Sequence, residues 1–167
     1  LADLHLLRAR DEFQTRMASF LGDDAGGADV QDRALAPFVD TTASVGLYHL
    51  ILAEDPGFAH RDAVLYSLGM ILTDDGNPEG VARLAELVED HPGSPHAQEA
   101  WLRLGGERFD VKDYAGAIPS LEQAVRGADP SLTAIAFYKL GWSHYELDRF
   151  DVAADDFRQL MDLYTTH

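Results

Sequence analysis

From about residue 60 onward the apolar residues recur at three- and four-residue intervals, the spacing of one helix face. The runs break at three short polar segments, "TDDGNPE", "DVKDYAG" and "ELDRFDV". Trp101, Leu104, Gly105, Phe109, Tyr114, Ala117 and Leu121 fall on Phe137, Leu140, Gly141, Tyr145, Phe150, Ala153 and Phe157, each pair 36 positions apart. One step further back, Leu65, Leu68, Gly69, Val81 and Ala85 occupy the same places, and Val45 and Leu52 precede Val81 and Val88 by the same interval. Each unit predicts two helices and a turn, and self-similarity at such a period marks a stack of like units. Three hairpins are expected, over about 60–93, 94–129 and 130–167.

Asn77-Pro78, Ser94-Pro95 and Asp129-Pro130 each put a capping side chain directly before a proline, a pairing suited to the first helical turn, where a missing N–H costs nothing. The glycine of each Leu-Gly pair falls mid-helix, at a cost of about 1 kcal/mol relative to Ala. Close approach of the paired helix would explain it. Gly116 and Pro119 lie inside the helix expected over 113–126 and predict a kink or a late start, on an outer helix that tolerates it rather than at a hinge.

The N-terminal third repeats the pattern only faintly. Leu4, Leu7, Phe13, Met17, Phe20 and Leu21 among charges predict an amphipathic helix over 1–21. A second helix is expected from about Pro37 to Glu54, burying Phe38, Val45, Tyr48 and Leu52. Together they would form a degenerate hairpin over 1–59. The acidic, glycine-rich stretch near 22–34 is expected to be a flexible loop, and it lacks the alternating ligands and closing Glu of a calcium loop.

Two segments, "AWLRLGGERFDVKDYAGAIPSLEQAV" and "AFYKLGWSHYELDRFDVAADDFRQLM", resemble the W-x2-L-G-x2-Y…A-x3-F arrangement of the tetratricopeptide repeat family. The resemblance covers roughly residues 60 to 167. It implies an all-α, right-handed superhelical solenoid of about four helical hairpins that binds other proteins. The period of 36 exceeds the usual value of about 34, and Arg108 and His144 stand where the family has tyrosine, with Phe109 and Tyr145 one place later. "EDHPGSPHAQEAWLRLG" with "FYKLGWSHYELDRF" is similar to tetratricopeptide scaffolds of the bacterial cell envelope. That likeness implies a periplasmic or envelope location, with the cytoplasm as the alternative.

Charge narrows the partners. Thirteen Lys and Arg against 29 Asp and Glu leave a net charge of -16, which repels a phosphate backbone and an anionic lipid surface, so no nucleic acid is expected. No run is long and apolar enough for a transmembrane segment, and without cysteine there is neither a disulfide framework nor a thiolate metal site. The chain opens on Leu1 without a signal-peptide pattern and reads as a mature or excised piece of something longer.

No catalytic residue, cofactor or metal site is expected, because no nucleophile elbow, phosphate loop, dinucleotide fingerprint or H-E-x-x-H motif is present. Ser143 and His144 are sequence neighbours and point in different directions on a helix, and His96 with Glu99 reads as a surface contact.

Binding is therefore expected where the first helix of each unit lines the concave side of the stack. Tyr66 and Met70 are the candidates from the first unit, Leu102, Arg103, Gly106 and Phe109 from the second, and Tyr138, Lys139, Trp142 and Tyr145 from the third. Tyr and Trp supply large contact area with a polar tip, Gly106 leaves room for a ligand side chain, and space-filling between hairpins is the alternative for Phe109, Trp142 and Tyr145. Arg103 and Lys139, one period apart, would grip an acidic residue or chain terminus of a partner, or else pair locally with Glu99 or Glu107. In some family members basic and Asn residues clamp a C-terminal carboxylate; here Ser67 replaces the Asn. Phe157, Leu160, Met161 and Tyr164 form a stripe on the last helix that would support a homo-oligomer. The function expected is a non-catalytic scaffold for a partner protein or peptide; the alternative is an accessory or self-associating module of a larger enzyme or envelope assembly.

Overall fold

A computed structural model describes residues 1–23 and 40–165. Among the described residues every regular element is an α-helix, and none is long and apolar enough to cross a membrane. Contacts divide the chain into two units, Leu1–Val64 and Leu65–His167.

In the first unit, α1 (Ala2–Asp23) packs against α2 (Thr42–Glu54). Tyr48 is fully buried between them, its hydroxyl donating to Asp3 Oδ1 at 2.5 Å, while Ser44 Oγ donates to the Ala2 carbonyl at 3.2 Å. Val45 and Leu52 are only half-buried, and Leu4 and Leu7, expected on the apolar stripe of α1, face solvent. The expectations for Pro37, Phe38, most of the 22–34 loop and the side chains of Phe13, Met17, Phe20 and Leu21 lie outside the described residues. Gly22 and Asp23 continue α1.

The second unit is built from α3 (Arg61–Asp74), which begins just before it, and α4 (Pro78–Asp90), α5 (Ala97–Asp110), α6 (Tyr114–Ala124), α7 (Pro130–Glu146) and α8 (Phe150–Thr165). Asn77 caps α4 by accepting from Glu79 N at 3.0 Å, and Asp129 caps α7 by accepting from Ser131 N at 2.7 Å, each with proline at the first turn. Ser94-Pro95 behaves differently. There Ser94 Oγ accepts from His96 N in a turn, and α5 starts only at Ala97. α6 starts without delay at Tyr114 and runs through Pro119, which has no N–H to offer the carbonyl of the exposed Ala115.

The same turn joins the helices of each pair. Gly76, Lys112 and Asp148 adopt left-handed φ values of 69°, 65° and 58°, at 36-residue intervals. The N–H groups of Asn77, Asp113 and Arg149 then reach back to the carbonyls of Leu72, Arg108 and His144, closing a Schellman motif three times over.

The mid-helix glycines are where paired helices meet. A Cβ on Gly105 would lie 2.7 Å from the Leu121 side chain, one on Gly69 2.7 Å from Leu84, and one on Gly141 2.6 Å from the Phe157 ring. The earliest pair departs from the strict 36-residue alignment. Gly80 and Leu84, not Val81 and Ala85, take the places of Ala117 and Leu121: both are buried, whereas Val81 is exposed. A tighter three-residue hydrogen bond, Gly80 N to Asn77 O, opens α4 where α6 and α8 open with four-residue bonds, and this advances the buried face by one residue.

Between α5, α6 and α7 the core is Ala117, Ile118, Leu121 and Leu140, with Leu102, Phe109 and Phe137 packed against it. Gln98 ties this joint together. Its amide nitrogen donates to the carbonyls of Ala124 and Asp129 and to Thr133 Oγ1, and its oxygen accepts from Asp129 N.

Candidate functional site

The first helices of successive pairs turn one stripe each toward an open cleft of about 280 Å³ in the second unit. Met70 comes from α3; Glu99, Leu102, Arg103, Gly106, Glu107 and Asp110 from α5; Leu132, Ile135 and Lys139 from α7. On α5 and α7 these positions step by three, four or one, so each set lies on one helical face. Met70, Leu102, Leu132 and Ile135 supply apolar lining among the charges, and at the buried Gly106 a Cβ would meet nothing nearer than the Lys139 side chain at 3.8 Å.

Five of the residues expected at the binding surface are brought together here, namely Met70, Leu102, Arg103, Gly106 and Lys139. Tyr66 stands beside them. Its ring stacks on His96 at 4.5 Å and its hydroxyl donates to Glu99 at 2.6 Å, so His96 and Glu99 both meet one tyrosine. Phe109 lies beneath the cleft, packed against the core and covered by Lys139, whose Nζ is 4.4 Å from the ring centroid.

The two cations are not held free for an acidic partner. Arg103 Nη2 is 2.6 Å from Asp74 Oδ1, with Nε 3.1 Å from Glu107 Oε1 but bent away from hydrogen-bond geometry. Lys139 Nζ is 3.1 Å from Asp110 Oδ1. Local pairing with Glu107 is thus realised, while Glu99 serves Tyr66 instead.

Tyr138, Trp142 and Tyr145 lie outside the cleft. They form an exposed edge-to-face ladder along α7, with centroid separations of 6.4 and 5.6 Å, that continues to Phe150 and Phe157 of α8. Their counterparts one period earlier, Leu102, Gly106 and Phe109, are packed against the core between α5, α6 and α7 or covered by Lys139. The same repeat positions are thus covered in one unit and open in the next.

Sequence reasoning named Glu99 and Glu107 only as local partners of the two cations, and missed Asp110, Leu132 and Ile135. The signal was present in the helical spacing: stepping by three or four from Arg103 and Lys139 reaches every one of them. Reading for aromatics selected the neighbouring face of α7. His144 was missed as well; it is buried, with Nδ1 2.7 Å from Asp156 Oδ2, and ties α7 to α8 as Arg108, donating to Gly116 O, ties α5 to α6.

The sequence profile described as "Tetratricopeptide repeat" matches residues 72–131 and 105–166, more than half of the chain. No curated protein matches the chain in sequence at a significant level. Among solved structures, MamA aligns with a TM-score of 0.61 at 24% identity, over 82% of this chain and 75% of its own, a likeness of fold.

Proposed function

Because the chain belongs to the tetratricopeptide repeat family, all-helical repeat solenoids that act as protein–protein interaction scaffolds and are generally non-catalytic, we propose that it holds a segment of a partner protein on the surface lined by α3, α5 and α7. Residues 60–167 would act as the binding array and 1–59 as a degenerate hairpin ahead of it. One observation carries this reading: the first helices leave an open cleft in which Met70, Leu102, Leu132 and Ile135 supply apolar surface among charged side chains. Apolar ground rimmed by polar groups is the usual anatomy of a protein-binding surface. The ladder of Tyr138, Trp142 and Tyr145 extends it with the residue types that serve most often as binding hot spots.

The test compares capture of partners from native lysate by the wild-type chain, by Ile135→Glu at the cleft and by Val152→Glu at an exposed site on α8, which does not line it. Loss of a partner with Ile135→Glu alone supports the cleft. Equal capture by all three removes it.

A second reading, self-association through α8, is favoured by Met161 and Tyr164, which are 66% and 75% exposed. Sedimentation of the chain at increasing concentration, with Met161→Glu/Tyr164→Glu as the control, decides it. A monomer at every concentration rules it out.

A further inference from the structure

The cleft's own charges specify what it can receive. Three carboxylates, Glu99, Glu107 and Asp110, line the cleft with two cations, and both cations are engaged, Arg103 by Glu107 and by Asp74 outside the lining, Lys139 by Asp110. The pairs are also oriented. Asp74 and Asp110 are 63% and 68% exposed, whereas Arg103 and Lys139 are 30% and 20% exposed, so each ion pair turns its acid toward solvent and its base toward the protein. An incoming carboxylate would have to displace an internal partner and enter a field already negative, on a chain whose net charge is -16. An incoming ammonium or guanidinium meets a lining with one more acid than base, in which Glu107 and Asp110, each paired internally through one oxygen, are the more exposed members of their pairs.

We propose that the occupant of the cleft is a cationic, apolar partner segment, one that sets a Lys or Arg against Glu107 and Asp110 and lays an aliphatic side chain over Gly106, between Leu102 and Ile135. The proposal rests on the reading of the cleft as the partner-binding surface. Charge complementarity supplies the specificity and the approach, and the apolar lining residues supply the desolvated contact. Gly106 is buried and a Cβ there would touch the Lys139 side chain at 3.8 Å, so the aliphatic group rests against the Lys139 stem where it covers the glycine. A second copy of this acidic chain is a poor occupant on the same electrostatic grounds.

The experiment pans a phage-displayed library of random peptides against the full chain. Enriched peptides are then synthesised and titrated by fluorescence anisotropy against the wild type, Gly106→Leu, Ile135→Ala and Glu107→Gln/Asp110→Asn. Circular dichroism melts check each variant, and Ile135→Ala, at an exposed position, serves where Gly106→Leu fails to fold. The expected peptides carry Lys or Arg next to Leu, Ile or Met. Their affinity falls about tenfold or more with Glu107→Gln/Asp110→Asn and with rising salt, and falls comparably with Gly106→Leu. Acidic or neutral peptides that are nevertheless lost with Gly106→Leu or Ile135→Ala would overturn the cationic assignment and leave the cleft standing. Peptides indifferent to both variants, or no enrichment at all, would remove the cleft reading and the proposal with it. A dimer that Gly106→Leu dissociates would give the cleft to a second copy and overturn the proposal as well.

Discussion

Lys139 Nζ lies 3.1 Å from Asp110 Oδ1, and one repeat earlier Arg103 Nη2 lies 2.6 Å from Asp74 Oδ1. Both pairs span 29 residues, and each joins a first helix to the last residue of the first helix before it. The repeated cation is therefore part of the stacking between hairpins.

A double-mutant cycle with Lys139→Ala and Asp110→Asn, read by urea unfolding, should give a coupling below about 1 kcal/mol, because the carboxylate is mostly exposed. Lys139→Ala alone should cost more than Asp110→Asn alone. It also removes the aliphatic stem and the cation over Phe109, worth about 0.5–1 kcal/mol.

Adjacent glycines should respond in opposite directions. Gly106→Ala places its Cβ in ordinary van der Waals contact with the Lys139 side chain at 3.8 Å and should stabilise by up to about 1 kcal/mol through helix propensity. Gly105→Ala drives a Cβ to 2.7 Å from the buried Leu121 and should destabilise by about 1–2 kcal/mol, overlap outweighing propensity. Gly80→Ala should be worse, since its Cβ meets the backbone N of Thr73 at 2.4 Å. Thermal melts of the three variants check the order; a stabilised Gly105→Ala would contradict the packing described.

Lys112 and Asp148 hold left-handed backbone that only glycine adopts without penalty, while Gly76 occupies the equivalent place at no cost. Lys112→Gly and Asp148→Gly should each raise stability by about 0.5–1 kcal/mol, measured by denaturant midpoint at unchanged slope.

Gln98→Ala removes the acceptor of Asp129 N and the donor to two carbonyls and Thr133 Oγ1. A loss of about 1–3 kcal/mol is expected, with hydrogen exchange at the start of α7 accelerating more than within α6. Uniform acceleration across the unit would point to global destabilisation instead.

The repeat was legible because it is written in one-dimensional spacing: Leu104-Gly105 and Leu140-Gly141 recur with their partners Leu121 and Phe157, and the structure puts each partner on its glycine. The slip at Gly80 was not legible. A three-residue hydrogen bond at the start of α4 costs one residue of register, and both Val81 and Ala85 are apolar enough to pass for the buried position. The candidate site was half legible, because composition drew attention to aromatics while the cleft is made of aliphatics and acids at the same helical spacing.

Sequence alone determined the helices, their pairing and the family, since periodic apolar faces, caps and small residues act locally and repeat. Only the tertiary structure decided what each repeated position does. Phe109 is covered and Tyr145 exposed although they are the same place in the repeat, and Arg103 and Lys139 are spent on neighbouring carboxylates rather than held for a partner. Whether a side chain is free depends on what packs beside it, and in a stack that neighbour comes from another unit of the chain.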